Sequence, residues 1–494
     1  MALKRIYPIV LLTLLALATV INCIISINYT TDDPFITYRY SVNLVNGHGL
    51  VYNIGEYVEG YSNPTWVFIM AGFYLLLSGC HPLAMLWAAK IFGIALLLFS
   101  LIIIYKAERI VDADGFPFAT LFIAINPAVM LWAAGGLETA LCVFLVSVIL
   151  YDEVKNNGGI IGSLAVGILA VSRPEMPLIL IFYSAWTWFR KRRGWQNAAL
   201  RILISCIPII IWLIFRLAYY NDIFPNTYYA KAQSLDVSEG ALYLAQALVL
   251  FNYFYFLIPL AIAGLLRSEI KGWLLAIVLS GGYFGFIVLS GGDWMPGGRF
   301  LIHVSPLLSW IVGAGFKRVY SKFNLTGQRI FIIVIIISMA MGTVLAHRFI
   351  HEKFTICPWP WEKLSMDSPV YPHYLEMGVW MAENTDPDAS VALGEAGLIP
   401  YLSHNVVIDC FGLMDTHIAR LPGELHRKFD AEYVMGREPE YILLLGSFDG
   451  DSLSSRFLYC RELYTHPDFR NYTLDHNVRD LYLFKRVKVP TGLN

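Results

Sequence analysis

Apolar residues run in long stretches through the first 347 positions, and from 348 onward no stretch is long enough to cross a bilayer. Runs at 6–28, 64–80, 83–105, 116–134, 138–152, 159–172, 174–189, 199–220, 243–266, 272–290, 299–316 and 329–347 read as candidate spans. A spanning helix needs about 20 apolar residues, with about 17 a practical minimum. Several runs between 138 and 189 fall short of that. The first, Ile6 to Ile27, is too long for the apolar part of a signal peptide and no A-x-A site follows it, so it reads as an uncleaved first span. Beyond 348, VALGEAGLIPYL, NVVIDCFGLMD, YILLLGSFDG and LYLFKRVKV read as short strands with turn residues between them. MGVWMAENT reads as a helix ahead of the first strand. The pattern predicts a polytopic α-helical membrane protein over 1–347 and a small α/β domain over 348–494.

Charge sets the expected orientation, because Lys and Arg concentrate in cytoplasmic loops. Lys4 and Arg5 put the N-terminus inside and 29–63 outside. The clusters Arg190 to Arg193, Arg267 with Lys271, and Lys317, Arg318 and Lys322 belong inside. That leaves 221–242, 291–298 and everything after 348 extracytoplasmic. Six runs separate 63 from 190, but an outside-to-inside path needs an odd number. One run in 64–189 is therefore expected to be re-entrant or to lie on the surface, giving about 11 spans.

Composition agrees: 57% of residues are hydrophobic and 15% are charged, against roughly 25% charged in a soluble domain. The net charge of −1 offers no basic field for nucleic acid. Seven cysteines show no C-x-x-C or Cys/His spacing, which argues against zinc. Cys357, Cys410 and Cys460 leave room for one disulfide in the polar C-terminal part.

The chemistry gathers first between the first two runs, in TDDPFITYRYSVNLVNGHGLVYNIGEYVEGYSNPTW (31–66). This stretch carries the adjacent acids Asp32 and Asp33, the base Arg39, then Glu56, Glu59, Tyr61 and Trp66. A long, aromatic-rich loop at a membrane face is more often functional than passive. The same side receives Glu138 from GGLET, Arg173 and Glu175 from SRPE, and Tyr228 and Lys231 from RLAYYNDIFPNTYYAK. It also receives Asp293, Trp294, Arg299 and His303 from GGDWMPGGRFLIH. Each has a plain reading on its own. Arg173 and Glu175 can be a snorkelling interfacial pair, and Glu138 can favour a helix N-terminus. Arg299 and His303 can share one helix face beside a capped loop, and Lys231 can be a solvated charge. Together, acids, bases and aromatics on one face have the polarity of a site acting outside on a membrane-associated substrate.

These residues resemble a known family. DDPFITYRYSVNLVNGHGLVYNIGEYVEGYSNPTW is similar to the first outer loop of the polyprenyl-phosphate-sugar-dependent membrane glycosyltransferases of the GT-C superfamily, with the arabinofuranosyltransferase B type the nearest branch. GGLET, SRPE, IFPNTYYAK and GGDWMPGGRF follow that pattern in order, and GEAGLIPYLSHNVVIDCFGLMD resembles the outer C-terminal domain of the same proteins. The resemblance implies a sugar donor on a polyprenyl phosphate, a glycan or glycolipid acceptor hydroxyl on the outer face of the plasma membrane, and an aspartate of the first outer loop as the catalytic residue. Asp32 and Asp33 match that position. A positioned carboxylate can accept the hydroxyl proton. Arg39, Arg173, Lys231 and Arg299 are the cations expected on the departing phosphate. Glu59, Glu138, Glu175, Asp293 and His303 complete the expected substrate-binding set, with Tyr61, Tyr228 and Trp294 stacking on sugar rings or lying at the lipid interface. No cofactor is required in this reading, although adjacent carboxylates can also hold a divalent cation.

In the outer domain, Glu395, Tyr401, Asp409 and Asp415 flank strand ends, where they serve either as turn and cap residues or as guides for the acceptor. The competing class is a transporter or flippase of a lipid-linked sugar, which would be marked by an internal repeat and by ionisable residues in mid-span.

Overall fold

The computed structural model describes residues 2–190, 194–231, 236–250, 271–293, 295, 297–337, 344, 371–449 and 452–487. Trp294, Arg267, Cys357, Lys191 to Arg193, most of the run 243–266 and the end of 329–347 lie outside the described residues. The chain divides into two compact units: 1–30, 87–214 and 234–356 form the first, and 31–86, 215–233 and 357–494 form the second. The boundary expected near 347 thus becomes a different division. The first outer loop and the segment around IFPNTYYAK belong with the C-terminal chain.

The first unit is helical. Its elements are α1 (Ala2–Ile25), most of α4 (Ala84–Val111), α5 (Phe118–Ala124), α6 (Pro127–Ala133), α7 (Thr139–Asn156), α8 (Ile160–Ala170), α9 (Pro177–Arg190), most of α10 (Trp195–Tyr220), α12 (Val237–Leu250), and the later helices Trp273–Leu289, Arg299–His303 and Ser305–Tyr320. Among the described residues α4 and α10 are the two helices long and apolar enough to cross a membrane on their own. The run at 116–134 is broken. Pro127 cannot continue the hydrogen-bond ladder, and Asn126 turns its side chain onto Ala128 N–H (3.0 Å) and Val129 N–H (3.3 Å) to start α6. Its two halves are seven residues each, about 10 Å at 1.5 Å per residue.

Lys90 is buried within α4, 1% exposed. Its ammonium donates to the carbonyls of Ile27 (2.8 Å), Tyr29 (2.6 Å) and Ala134 (2.8 Å). It ties the chain leaving α1 to the chain leaving α6. Lys90→Met keeps the bulk and removes all three donors. An unmet buried acceptor costs about 1–3 kcal/mol, so the variant is expected to unfold at a clearly lower temperature in detergent than the wild type.

The second unit opens with α2 (Asp33–Val45), a helix where the sequence reading placed a loop. Pro34 sits in its first turn, where its missing N–H costs nothing. Nine consecutive residues, Pro34 to Val42, are buried, so the helix is enclosed on all sides and lacks the one-sided apolar stripe of a surface helix. It packs on α3 (Pro64–Leu77) and on the helix Leu398–Ser403.

The C-terminal sheet has the strand order β2-β1-β3-β7-β6. β1 (Ser390–Leu393), β2 (Val406–Asp409) and β3 (Tyr441–Leu445) are parallel, while β6 (Tyr472–Val478) and β7 (Leu481–Arg486) pair antiparallel at the other edge. β4 (Ser447–Asp449) and β5 (Ser452–Ser454) make a separate ribbon. All four expected strand segments are present, but the first is short: after Leu393 the chain turns, and LIPYLS is a helix. β6 was not expected, because its largely exposed residues lack an apolar alternation. Cys410 and Cys460 are free, buried thiols, so the disulfide that the sequence left room for does not involve them.

Candidate active site at the carboxyl end of the sheet

β1 lies between β2 and β3, so the chain winds to opposite sides from it. In open α/β sheets ligands bind outside the carboxyl ends of the strands at such a reversal. Here the carboxyl end of β1 leads into Gly394-Glu395-Ala396-Gly397 and then the helix Leu398–Ser403. Asp32, the residue before α2, reaches this turn and accepts the Leu398 N–H on Oδ1 at 2.8 Å. Gly397 has no room for a side chain: a Cβ there would fall on the carboxyl and backbone carbonyl of Asp32. The Tyr52 hydroxyl donates to the Ala396 carbonyl at 2.5 Å. Arg39 holds the far side of the same segment. Its guanidinium donates to the carbonyls of Pro400 (2.8 Å), Asn405 (2.7 Å) and Tyr52 (3.0 Å) and lies 4.2 Å over the Tyr52 ring.

Packing dominates the proton affinity of this corner. Asp32 keeps some exposed surface. Burial of its carboxyl nonetheless pushes it up to about 7, the Leu398 N–H pulls against that, and Asp33 adds to it. Glu395 is pushed up to about 8, first by burial and then by the charge of Asp32, with Arg456 and the Tyr374 hydroxyl pulling the other way. His426 is held down at about 4 by burial and by the neighbouring charges of Arg456 and Lys231, so its ring is neutral at pH 7. Arg456 and Lys231 are both exposed. Arg456 lies 4.6 Å over the Phe457 ring. Phe411 packs against His426 (4.3 Å) and Phe457 (5.2 Å). Lys231 ends α11 (Asn226–Lys231). That helix is anchored by the Asn226 side chain, which donates to Gly412 O (2.9 Å) and Leu413 O (3.0 Å). One corner of this unit therefore carries a carboxyl pair, cations and aromatic rings. That set can take a proton from a hydroxyl and stabilise a departing anion.

The other expected site residues fall into place differently. Arg39 spends its fork on carbonyls within the unit, which makes it a clamp on the C-terminal chain. Glu59 forms a two-pronged ion pair with Arg216 at 2.5 and 3.0 Å. Tyr61 is buried and shares a hydrogen bond with the Tyr220 hydroxyl at 3.0 Å. Tyr228 is 52% exposed and stacks on Phe224 at 4.6 Å, leaving an aromatic surface open. Tyr401 donates to Pro82 O (3.0 Å) and packs on Phe35. Asp409 receives the N–H groups of Phe411 (2.9 Å) and Met414 (2.8 Å), and Asp415 caps the helix Thr416–Ala419, so both are turn and cap residues.

Glu138, Arg173, Glu175, Asp293, Arg299 and His303 all belong to the first unit, where they form buried charge networks. Arg173 pairs with both Glu138 and Glu175. Tyr283 bridges Glu175 (3.3 Å) and His303 Nδ1 (2.9 Å). Arg299 forks onto Asp293 at 2.7 and 3.0 Å and lies 5.4 Å over the Trp132 ring. Arg456, His426, Tyr374 and Arg216 were missed as site or partner residues, since no local spacing marks them. Among the described residues no three His, Cys, Asp or Glu side chains gather as a metal cage.

In three dimensions the chain is similar to ArnT from Cupriavidus metallidurans: the TM-score is 0.63 at 13% identity, over 98% of this chain and 99% of that one. The same enzyme bound to undecaprenyl phosphate matches with a TM-score of 0.60 at 11% identity. The chain has the GT-C glycosyltransferase fold. Its sequence is similar to two curated proteins, both named terminal beta-(1->2)-arabinofuranosyltransferase. The Mycobacterium tuberculosis protein is 27% identical over 48% of this chain and 40% of the relative. The Corynebacterium glutamicum protein is 24% identical over 57% of this chain and 47% of the relative. The matches thus span less than half the length of those relatives. Residues 365–485 match a family described as a domain of unknown function, DUF8728, a stretch that holds all the strands of the C-terminal sheet but the last residue of β7.

Proposed function

We propose that the chain is an integral-membrane glycosyltransferase that moves a sugar, with arabinofuranose the first candidate, from a polyprenyl-phosphate donor to a hydroxyl of a glycan or glycolipid on the outer face of the plasma membrane. The observation that carries this reading is the half-buried Asp32 carboxyl held against the 394–397 turn, in the same unit as Lys231 and Arg456. The names of the relatives support the sugar, and the undecaprenyl phosphate complex of ArnT supports the class of donor. The Lys and Arg bias of the loops supports the outer face.

Asp32 takes the acceptor proton as the hydroxyl oxygen forms its bond to the anomeric carbon. The bond from that carbon to the phosphate oxygen breaks, and the polyprenyl phosphate leaves with the electron pair. Lys231, exposed and close enough to His426 to act on its ring, is the first cation for that phosphate. The reaction so written requires no metal.

The test is a reconstituted assay with a polyprenyl-phosphoryl pentofuranose and a short glycan acceptor, read by mass spectrometry. Pentose addition with release of polyprenyl phosphate is expected. Passage of intact donor across the vesicle without any glycosidic product would make the chain a flippase. In the same assay Lys231→Gln is expected to raise the donor KM about tenfold, the worth of one charge-assisted hydrogen bond. An unchanged donor KM would remove Lys231 from the phosphate site.

A further inference from the structure

The first unit holds a buried cation whose described partner is a phenol and not an acid. Arg201 lies six positions after Trp195 on α10, about 9 Å along the helix, and is 8% exposed. Its Nη2 donates to the Tyr183 hydroxyl at 2.7 Å, and its guanidinium lies 5.5 Å over the Tyr183 ring. From there the donors run one way. The Ser163 hydroxyl donates to the Gly159 carbonyl at 2.9 Å, so its oxygen is left to accept from the Tyr183 hydroxyl at 3.1 Å. Every link is neutral and the chain ends on a carbonyl, so none of it supplies the negative charge that a buried guanidinium calls for. Nε is buried and has no hydrogen-bond partner among the described residues. Asp152 is spent on the Asn156 side chain (2.8 Å) and on the N–H groups of Gly159 and Gly162. Gly158, at φ 82°, gives the guanidinium its place, since a Cβ there would overlap it.

The surroundings have the character of a membrane interface. Ile160, Ile161 and Leu164 of α8 and Leu200 and Leu203 of α10 are exposed and apolar. Phe189 and Trp195 are exposed at the neighbouring helix ends, where aromatic rings favour the headgroup level. Arg190 ends α9 and Lys191 to Arg193 follow it in the sequence, the bias of a cytoplasmic face that attracts anionic lipid. Asn197, half-buried, stands one turn before Arg201 on the same face of α10.

We propose that Arg201 is the centre of a binding site for an anionic phospholipid of the cytoplasmic leaflet: the guanidinium and the Asn197 amide take the phosphate, and the acyl chains lie along the exposed apolar faces of α8 and α10. The planar fork of an arginine matches phosphate oxygens. The phosphate neutralises the buried charge and ties α8, α9 and α10 together through Ser163, Tyr183 and Arg201. A zwitterionic headgroup brings its own cation and so offers less to this site. The proposal is independent of the role of Asp32, and its test needs no turnover.

The full chain in detergent is melted while phosphatidylglycerol, phosphatidylcholine with the same acyl chains, or glycerol phosphate is titrated in. The titrations run at about 1 M salt, where exposed charges act over only about 3 Å. Phosphatidylglycerol is expected to raise the melting temperature, and the other two to leave it nearly unchanged. Arg201→Met should raise the apparent Kd for phosphatidylglycerol about tenfold, the worth of one charge-assisted hydrogen bond. Without lipid it should melt no lower than the wild type, because it removes an unneutralised buried charge. Arg201→Lys keeps the charge and loses the fork, so its Kd should lie between the two; it also decides the matter if the methionine variant does not fold. A wild-type Kd in Arg201→Met, or in Arg201→Lys where that variant decides, would overturn the proposal. So would an Arg201→Met protein that melts lower without lipid yet keeps the full gain from phosphatidylglycerol. Equal stabilisation by glycerol phosphate would make this a free-phosphate site, and equal stabilisation by phosphatidylcholine a general lipid effect; either result removes the anionic lipid.

Discussion

Asp32→Asn is expected to abolish transfer, by at least about 100-fold, the usual worth of a general base, while the protein stays folded. The amide can keep the carboxyl's hydrogen bond to the 394–398 segment, since its oxygen can still accept the Leu398 N–H. What it loses is the ability to take a proton. The pH dependence separates this from damage to the fold. Burial raises the Asp32 carboxyl from its ordinary 3.8 to about 7 in the folded protein. Between those values the folded state binds more protons than the unfolded chain, so folding stability falls as pH rises through that window. An asparagine does not ionise and removes that fall. The variant should therefore melt no lower than the wild type at pH 8 and should lose the relative penalty that the wild type acquires between pH 4 and 7. Wild-type activity should rise with pH through about 7 as Asp32 ionises, instead of near 4. Asp33→Asn should cost less, because Asp33 lies in the first turn of α2 and has no described hydrogen bond to the 394–397 turn. Near-normal turnover in Asp32→Asn would end the assignment.

Gly397→Ala is the second change expected to be severe, for the opposite reason. It alters no charge and adds one methyl group, which would fall on the Asp32 carboxyl and backbone carbonyl. A backbone atom cannot swing aside as a side-chain tip can, so either the start of α2 or the 394–397 turn has to shift. Forcing one carbon into a packed site typically costs about 1–3 kcal/mol. Here the displaced group is the base itself. Transfer should fall nearly as far as in Asp32→Asn, with a lowered melting temperature that Asp32→Asn does not show. Gly436→Ala is the matched control, since nothing lies within 4 Å of its added carbon. Wild-type activity and melting temperature in Gly397→Ala would mean that the Asp32–Gly397 approach has no part in the site.

The sequence by itself determined the broad organisation. Unbroken apolar runs need only the local count of residues to be recognised, because a bilayer tests each helix one at a time. The strands after 390 were equally legible, since β1, β2, β3 and β7 carry buried Val, Ile, Leu and Phe. The acid pair of the first outer loop and the acid of GEAG also stood out by type and position. Tertiary structure decided what no window of residues records. α2 looked like a loop because burial on every side removes the one-sided pattern that marks a helix. Arg39 looked like a ligand for phosphate, yet the carbonyls that claim it, on Pro400 and Asn405, lie more than 300 positions away along the chain. LIPYLS became a helix because β1 pairs for only four residues before the glycine turn that admits Asp32. Lys231, His426 and Arg456 share a corner only because α11 is pinned beneath the Gly412 turn. Local periodicity reports what a segment can bury, whereas a site is made of what distant segments bury against one another. The proton affinity of Asp32 depends on the latter.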